Sequence, residues 1–284
     1  MENLFDIYKE AYNVENVENS RINNIDKISL FSKKRKIGEI FLPSSYLSIL
    51  IIIPGAGFNE KNKDNIFKQF KFLLKNKIAI CIFDLTEANL NKKDKEFFYF
   101  FKERVAEIKG IIRFIEDNLQ IKNINLMGIS LGGIIGFVIS GIVKEIKKCI
   151  FLISGANLEL ITWRSLLRFY LKKDCSRKAC RQMHKIYRKF MEKKLYNEIE
   201  NLPRKCFFYE PLTYIEKLKN IDILMINGMF DMIVPFYCAF EIKKKLKRLK
   251  ILWYPGTHLT YRFFHPIFKK KILNFIKNGY PIRH

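Results

Sequence analysis

The sequence predicts an α/β fold: a mostly parallel, twisted sheet flanked by helices and interrupted by one helical insertion. Three observations predict it. Short runs of β-branched and aromatic residues alternate along the chain with segments whose apolar residues recur at helical spacing. Several of the short runs, "ILIII" and "IAICIF" among them, are apolar throughout, as strands covered on both faces must be. One stretch, from Ala156 to about Tyr209, departs from the alternation with basic, aromatic-rich helical segments and no strand. Strand and helix in alternation close into a parallel sheet wrapped by helices.

In chain order, "KIGEIFLP" and "YLSILIII" read as strands bounded by Pro, Ser and Gly. The turn "PGAGFNE" and the helix "DNIFKQFKFLLKN" follow, then the strand "IAICIFDL". A long helix, "KEFFYFFKERVAEIKGIIRFIEDNL", aligns Phe97, Phe101, Val105, Ile108 and Ile112 on one face. The strand "NINLMG" leads straight into the helix "SLGGIIGFVISGIV", and "KKCIFLISG" is the next strand. The insertion contributes "LELITWRSLLRFYLKK" and "ACRQMHKIYRKFMEKKLYNEIE". The alternation resumes with the strand "IDILMING", the helix "PFYCAFEIKKKLKRL", the strand "KILWYPG" and a last helix starting at Pro266. Residues 1–155 and 210–284 are therefore expected to form the core, and 156–209 a helical cap.

Composition narrows the partners. With 284 residues, 49% of them hydrophobic and 14% aromatic, the chain has ample material for one large core. Lys and Arg number 52 against 28 Asp and Glu, a net charge of +24. That excess suits weak association with an anionic membrane or nucleic acid, and "KKDCSRKACRQMHKIYRK" is the segment best suited to phosphate contact. A biased base composition that favours Lys together with Ile, Asn and Phe explains the same charge as a solvated surface. The polar N-terminus lacks the features of a signal peptide. The longest apolar stretch, Ile129 to Val143, is broken by Gly and Ser and is short of the roughly 20 residues of a spanning helix. Six cysteines without a CxxC pair read as reduced thiols, so a cytoplasmic location is expected. Cys175, Cys180 and His184 lack an evident fourth ligand, and no metal or organic cofactor is expected.

Chemistry is concentrated where strands end. In "LMGISLGG", Ser130 leaves a strand and enters a helix directly, a turn so sharp that its neighbours Gly128 and Gly132 must be small. A glycine-rich helix entry without chemistry has the same composition, so the partners decide. Serine needs a base, and the base needs an orienting acid. His258, in "YPGTHLT", falls just past the last strand; His184, His265 and His284 do not lie at such an edge. Asp231, in "INGMFDMIVP", follows the preceding strand, with Asp84 as fallback, whereas Asp222 belongs at the opposite edge. Backbone N–H groups able to hold an oxyanion come from Leu131 and from the "GAGF" loop, Ala56 first and Gly57 or Phe58 next. Phe58, Ile129 and Trp163 are candidates to touch substrate, although apolar stripes such as the one bearing Trp163 also serve to anchor a helix.

Ser130, Asp231 and His258 in that order, with "GISLGG" and "PGAGF" at strand ends, resemble the α/β-hydrolase superfamily over roughly residues 36 to 278. The resemblance implies a serine hydrolase with an acyl-enzyme intermediate, acting on a small-molecule carboxylic ester, with a cap where the insertion lies. Many members carry His-Gly where this chain has Pro54-Gly55, a departure that touches the oxyanion loop. The rival reading of "GAGFNE" as a dinucleotide loop meets Glu60, an acid, where a third small residue is needed.

Overall fold

Strands β4 (Ser48–Ile53), β5 (Ile78–Phe83) and β6 (Ile124–Ile129) are buried along their whole length, as their unbroken apolar sequences require. A computed structural model describes residues 7–22, 24–86, 93–193 and 204–279, and in it these strands form the middle of a nine-stranded sheet. The other strands are β1 (Asn16–Ile22), β2 (Ile25–Ser32), β3 (Arg35–Leu42), β7 (Ile146–Leu152), β8 (Asp222–Gly228) and β9 (Leu249–Tyr254). Their order is β1-β2-β3-β5-β4-β6-β7-β8-β9. The pairings from β5 through β9 are parallel, and the three that add β3, β2 and β1 are antiparallel.

Strands β1 and β2 lie outside the elements expected from the sequence. Every residue of β1, "NVENSRI", is exposed, so it carries no alternation of apolar and polar positions to read. Its polar composition suits an edge strand that must not recruit another chain. Between β2 and β3 the turn residues Lys33 and Lys34 both have positive φ, 48° and 62°. That backbone is ordinarily marked by Asn-Gly, and Lys-Lys gives no such mark.

The helices are α1 (Glu60–Phe70, prolonged by a 3₁₀ stretch Lys71–Asn76), α2 (Asp94–Leu119), α3 (Leu131–Ile142), α4 (Leu158–Arg164), α5 (Arg177–Glu192), α6 (Phe236–Lys243) and α7 (Tyr261–Asn278). Helix α3 is buried on all sides from Leu131 to Gly141, in keeping with a sequence that is apolar or small all round. Helix α7 begins five residues before Pro266, which the sequence suggests as its first residue. Proline is favoured in the first helical turn because its missing N–H is not needed there; here it sits in the second.

The described part of 156–209 contains α4, α5 and short 3₁₀ segments, and no strand; residues 194–203 fall outside the described range. Ile161, Tyr187 and Phe207 are buried in the same apolar cluster as the sheet. Tyr187 stacks on Phe207 at 4.3 Å, and its hydroxyl lies 2.8 Å from Thr213 Oγ1. Both ends of the segment meet at Glu210. Its Oε1 accepts from Asn157 N at 2.8 Å and Leu212 N at 3.3 Å, and its Oε2 accepts from Leu158 N at 2.6 Å. Burial raises the Glu210 pKa, and these three donors act against that rise.

Candidate active site

The turn at Ser130 is held by its surroundings. Ser130 has φ 53° and ψ −115°, a conformation costly for a non-glycine residue. Its N–H donates to Leu152 O at 2.9 Å, and its carbonyl accepts from Gly133 N at 2.9 Å and Ser154 Oγ at 3.1 Å. The flanking glycines leave no room for a side chain. A Cβ on Gly128 would lie 2.4 Å from Gly132 O, and one on Gly132 would lie 2.1 Å from Ile53 O. Close packing of β4, β6 and α3 thus demands glycine at both positions, and it leaves the serine side chain projecting at the sheet edge.

Adjacent strands bring the partners in. Strands β8 and β9 are neighbours, so the loops at their carboxyl ends lie side by side. Phe230 N donates to Gly256 O at 3.0 Å, and a Cβ on Gly228 would lie 2.4 Å from that same oxygen. Within this pair of loops Asp231 is buried, and its Oδ1 accepts from Ile233 N and Val234 N, each at 2.8 Å. Its Oδ2 lies 2.7 Å from His258 Nδ1. On the other side of the ring, His258 Nε2 lies 2.8 Å from Ser130 Oγ. With Nδ1–H donating to the carboxylate, Nε2 is free to accept from the serine hydroxyl. Three side chains separated by up to 128 positions form one chain of hydrogen bonds.

The turn after β4 passes beside the serine: a Cβ on Gly55 would sit 3.3 Å from Ser130 Cβ and 3.9 Å from Oγ. Ala56 is exposed at the rim, and Gly57 has φ +76° with open space around it. Leu131 is the first residue of α3, so its N–H has no acceptor within the helix.

Two cavities meet this region. A cleft of about 700 Å³ contains Ser130 and His258 and is lined also by Ala56, Phe58 and Ile129, with Leu167 reaching in from the insertion. A smaller cavity, about 160 Å³, lies between α3 and the described part of 156–209. It is bordered by Leu131, Ile134, Trp163 and Phe207 and shares Leu167 with the cleft. Of the residues expected to touch substrate, Phe58 and Ile129 line the cleft, and Trp163 lines the smaller cavity.

The other candidates stand apart. Asp84 is engaged by Arg35 at 3.6 Å and by Thr86 N at 2.9 Å. Asp222, at the start of β8, pairs with Arg248 at 2.8 Å. His184 packs against Phe207 and is buried, which lowers its pKa to about 4. His284 lies outside the described residues. Among the described residues no three His, Cys, Asp or Glu side chains are grouped so as to hold a metal, and no helix is long and apolar enough to cross a membrane.

No protein-family model and no curated protein matches the sequence. Solved structures match the fold. The Pyrococcus furiosus esterase Pf2001 is 16% identical, with 92% of each chain covered and a TM-score of 0.58. Est1E from Butyrivibrio proteoclasticus is 17% identical, covering 92% of this chain and 99% of its own, with a TM-score of 0.57. An acylaminoacyl peptidase from Pyrococcus horikoshii reaches a TM-score of 0.63 at 13% identity, over 95% of this chain and 43% of its own. The chain has an α/β-hydrolase fold.

In this α/β-hydrolase fold the parallel strands β4, β6, β8 and β9 end at one edge, where ligands of open parallel sheets bind. The sequence reading leaves out the polar wall of the cleft: Lys68 and Gln69 on α1, and Arg262, His265 and Lys269 on α7. On α7 these lie at i, i+3 and i+7, one helical face. A helix start placed at Pro266 hides that face, because it makes 261–265 a loop.

Proposed function

We propose that the chain is a serine hydrolase that cleaves carboxylic esters through Ser130, His258 and Asp231. One observation carries the proposal: the His258 ring is bonded at once to Ser130 Oγ and to a buried carboxylate. Ser130 Oγ attacks the ester carbonyl as His258 Nε2 takes its proton. Asp231 keeps Nδ1 protonated and stabilises the imidazolium. The N–H groups of Leu131 and Ala56, with Gly57 next in the same turn, stabilise the oxyanion. The imidazolium then protonates the departing alcohol. Water, activated by His258, releases the acyl group from Ser130. The scheme uses no metal or organic cofactor.

In this proposal residues 1–155 and 210–284 are the catalytic core, and 156–209 is the cap. An apolar acyl group lies in the smaller cavity, against Leu131 and Trp163. Ser130→Ala, assayed on p-nitrophenyl butyrate with circular dichroism as a control for folding, should lose essentially all turnover. Retained turnover in a folded variant would remove the serine from the mechanism.

A further inference from the structure

The cleft that holds Ser130 and His258 has a one-signed wall. Lys68 projects from α1, and Arg262 and Lys269 from α7, while no Asp or Glu is among the cleft's described lining residues. None of these three cations takes part in an ion pair among the described residues. Within this wall the two helices are joined by Tyr261 Oη, which donates to Gln69 Oε1 at 3.0 Å.

A second, independent observation lies in the same wall. His265 lines the cleft with only 3% of its surface exposed, and its Nε2 has no hydrogen-bond partner. Its ring is packed edge-on against Phe70 at 4.9 Å. Burial, with Lys269 nearby, lowers its pKa to about 4, so at neutral pH it is an uncharged imidazole. A buried polar atom left without a partner is costly, and a ligand group hydrogen-bonded to His265 relieves that cost. Cations of one sign gathered along a concave wall attract an anion more strongly than the same charges spread over an open surface.

From this geometry we infer that the substrate carries an anionic group, phosphate or carboxylate, bound between α1 and α7 by Lys68, Arg262, Lys269 and His265. The inference rests on the proposed ester hydrolysis and adds the class of ester to it. The apolar acyl arm occupies the smaller cavity beside Leu131, and the alcohol arm bearing the anion occupies the cationic end of the cleft. Of the net charge of +24, this reading gives a function to three residues and leaves the remainder to the general surface.

The test has two parts. In the first, kcat/KM is compared for hexanoyl glycerol, hexanoyl glycerol 3-phosphate and hexanoyl glycerate, which share one acyl group. The anionic esters should exceed the neutral one by at least about tenfold at low ionic strength, with the advantage shrinking as salt rises. In an Arg262→Gln/Lys269→Gln double variant the ratio of anionic to neutral ester should fall to near one. The phosphate and carboxylate arms reveal which anion is preferred. Equal kcat/KM for all three esters would overturn the inference and leave the proposed hydrolysis standing. In the second part, inorganic phosphate is titrated into Ser130→Ala at pH 7, with the histidine ring resonances followed by NMR. The His265 signals should shift saturably, those of His184 in the other cavity should not, and the double variant should abolish the response. If no ester is turned over but phosphate still binds beside His265, the hydrolase proposal fails while the anion site stands. An unmoved His265 at millimolar phosphate overturns the anion site.

Discussion

Ser130 occupies a backbone conformation that only its neighbours can impose, and its reactivity depends on how those neighbours are packed. Gly128 faces backbone atoms of Gly132 and Gly133 that cannot swing aside, with a Cβ reaching 2.4 to 2.7 Å from them. Gly128→Ala should therefore destabilise the fold by about 1–3 kcal/mol or more, read as a lowered denaturation midpoint, and should cut ester turnover by displacing the serine. An unchanged midpoint would mean that the turn is looser than its contacts imply. Asp231→Asn keeps the shape but reverses the preferred imidazole tautomer, and turnover should drop by roughly 10⁴-fold on the serine-protease precedent. In this scheme the His258 ring is what takes the serine proton. His258→Ala should therefore lose ester turnover as Ser130→Ala does. Retained turnover in that folded variant would remove His258 as the base.

At the scale of elements, the Glu210 carboxylate accepts three backbone N–H groups and so holds Asn157 and Leu158, near the start of the 156–209 segment, against the chain just beyond its end. Glu210→Gln turns one of those acceptors into a donor facing Leu158 N–H or its neighbours. The cost should be about 1–3 kcal/mol, measured by urea denaturation, with faster proteolysis between 156 and 209. Equal stability of the two proteins would remove Glu210 as the tie. The element scale also explains what could be read in advance. Parallel strands such as β4 and β5 announce themselves because both faces are dry, and Ser130 and Asp231 follow such strands, β6 and β8, whereas His258 follows β9, which is only partly buried. Strand β1 is wet on both faces and carries no such signal, nor does a turn built on Lys33 and Lys34. The polar wall of α7 is hidden for a different reason: Pro266 marks a helix start in the sequence, and only tertiary packing carries the helix back to Tyr261. Which loop aspartate meets the histidine follows from β8 lying next to β9, and that order is set by the whole sheet.

Among the described residues of the whole molecule, two buried histidines must be kept uncharged. His184 and His265 both have pKa values lowered to about 4 from an ordinary 6.5, chiefly by burial, with Arg188 and Lys269 as the respective secondary causes. Below the ordinary value the unfolded chain binds protons that the folded chain refuses. Stability from these residues is thus complete above about pH 6.5 and is lost as pH falls towards about 4. The melting temperature should decline across that window, and His184→Phe, which keeps a ring against Phe207, should flatten part of the decline. Identical profiles for the two proteins would show that His184 is not protected from protons. At neutral pH, by contrast, the assembled sheet edge should present one activated serine and no other. Labelling the intact chain with a fluorophosphonate probe and mapping the modified peptide tests that most directly. A single adduct on Ser130, lost in His258→Ala, is the expected result; no adduct, or one on another serine, would contradict the account.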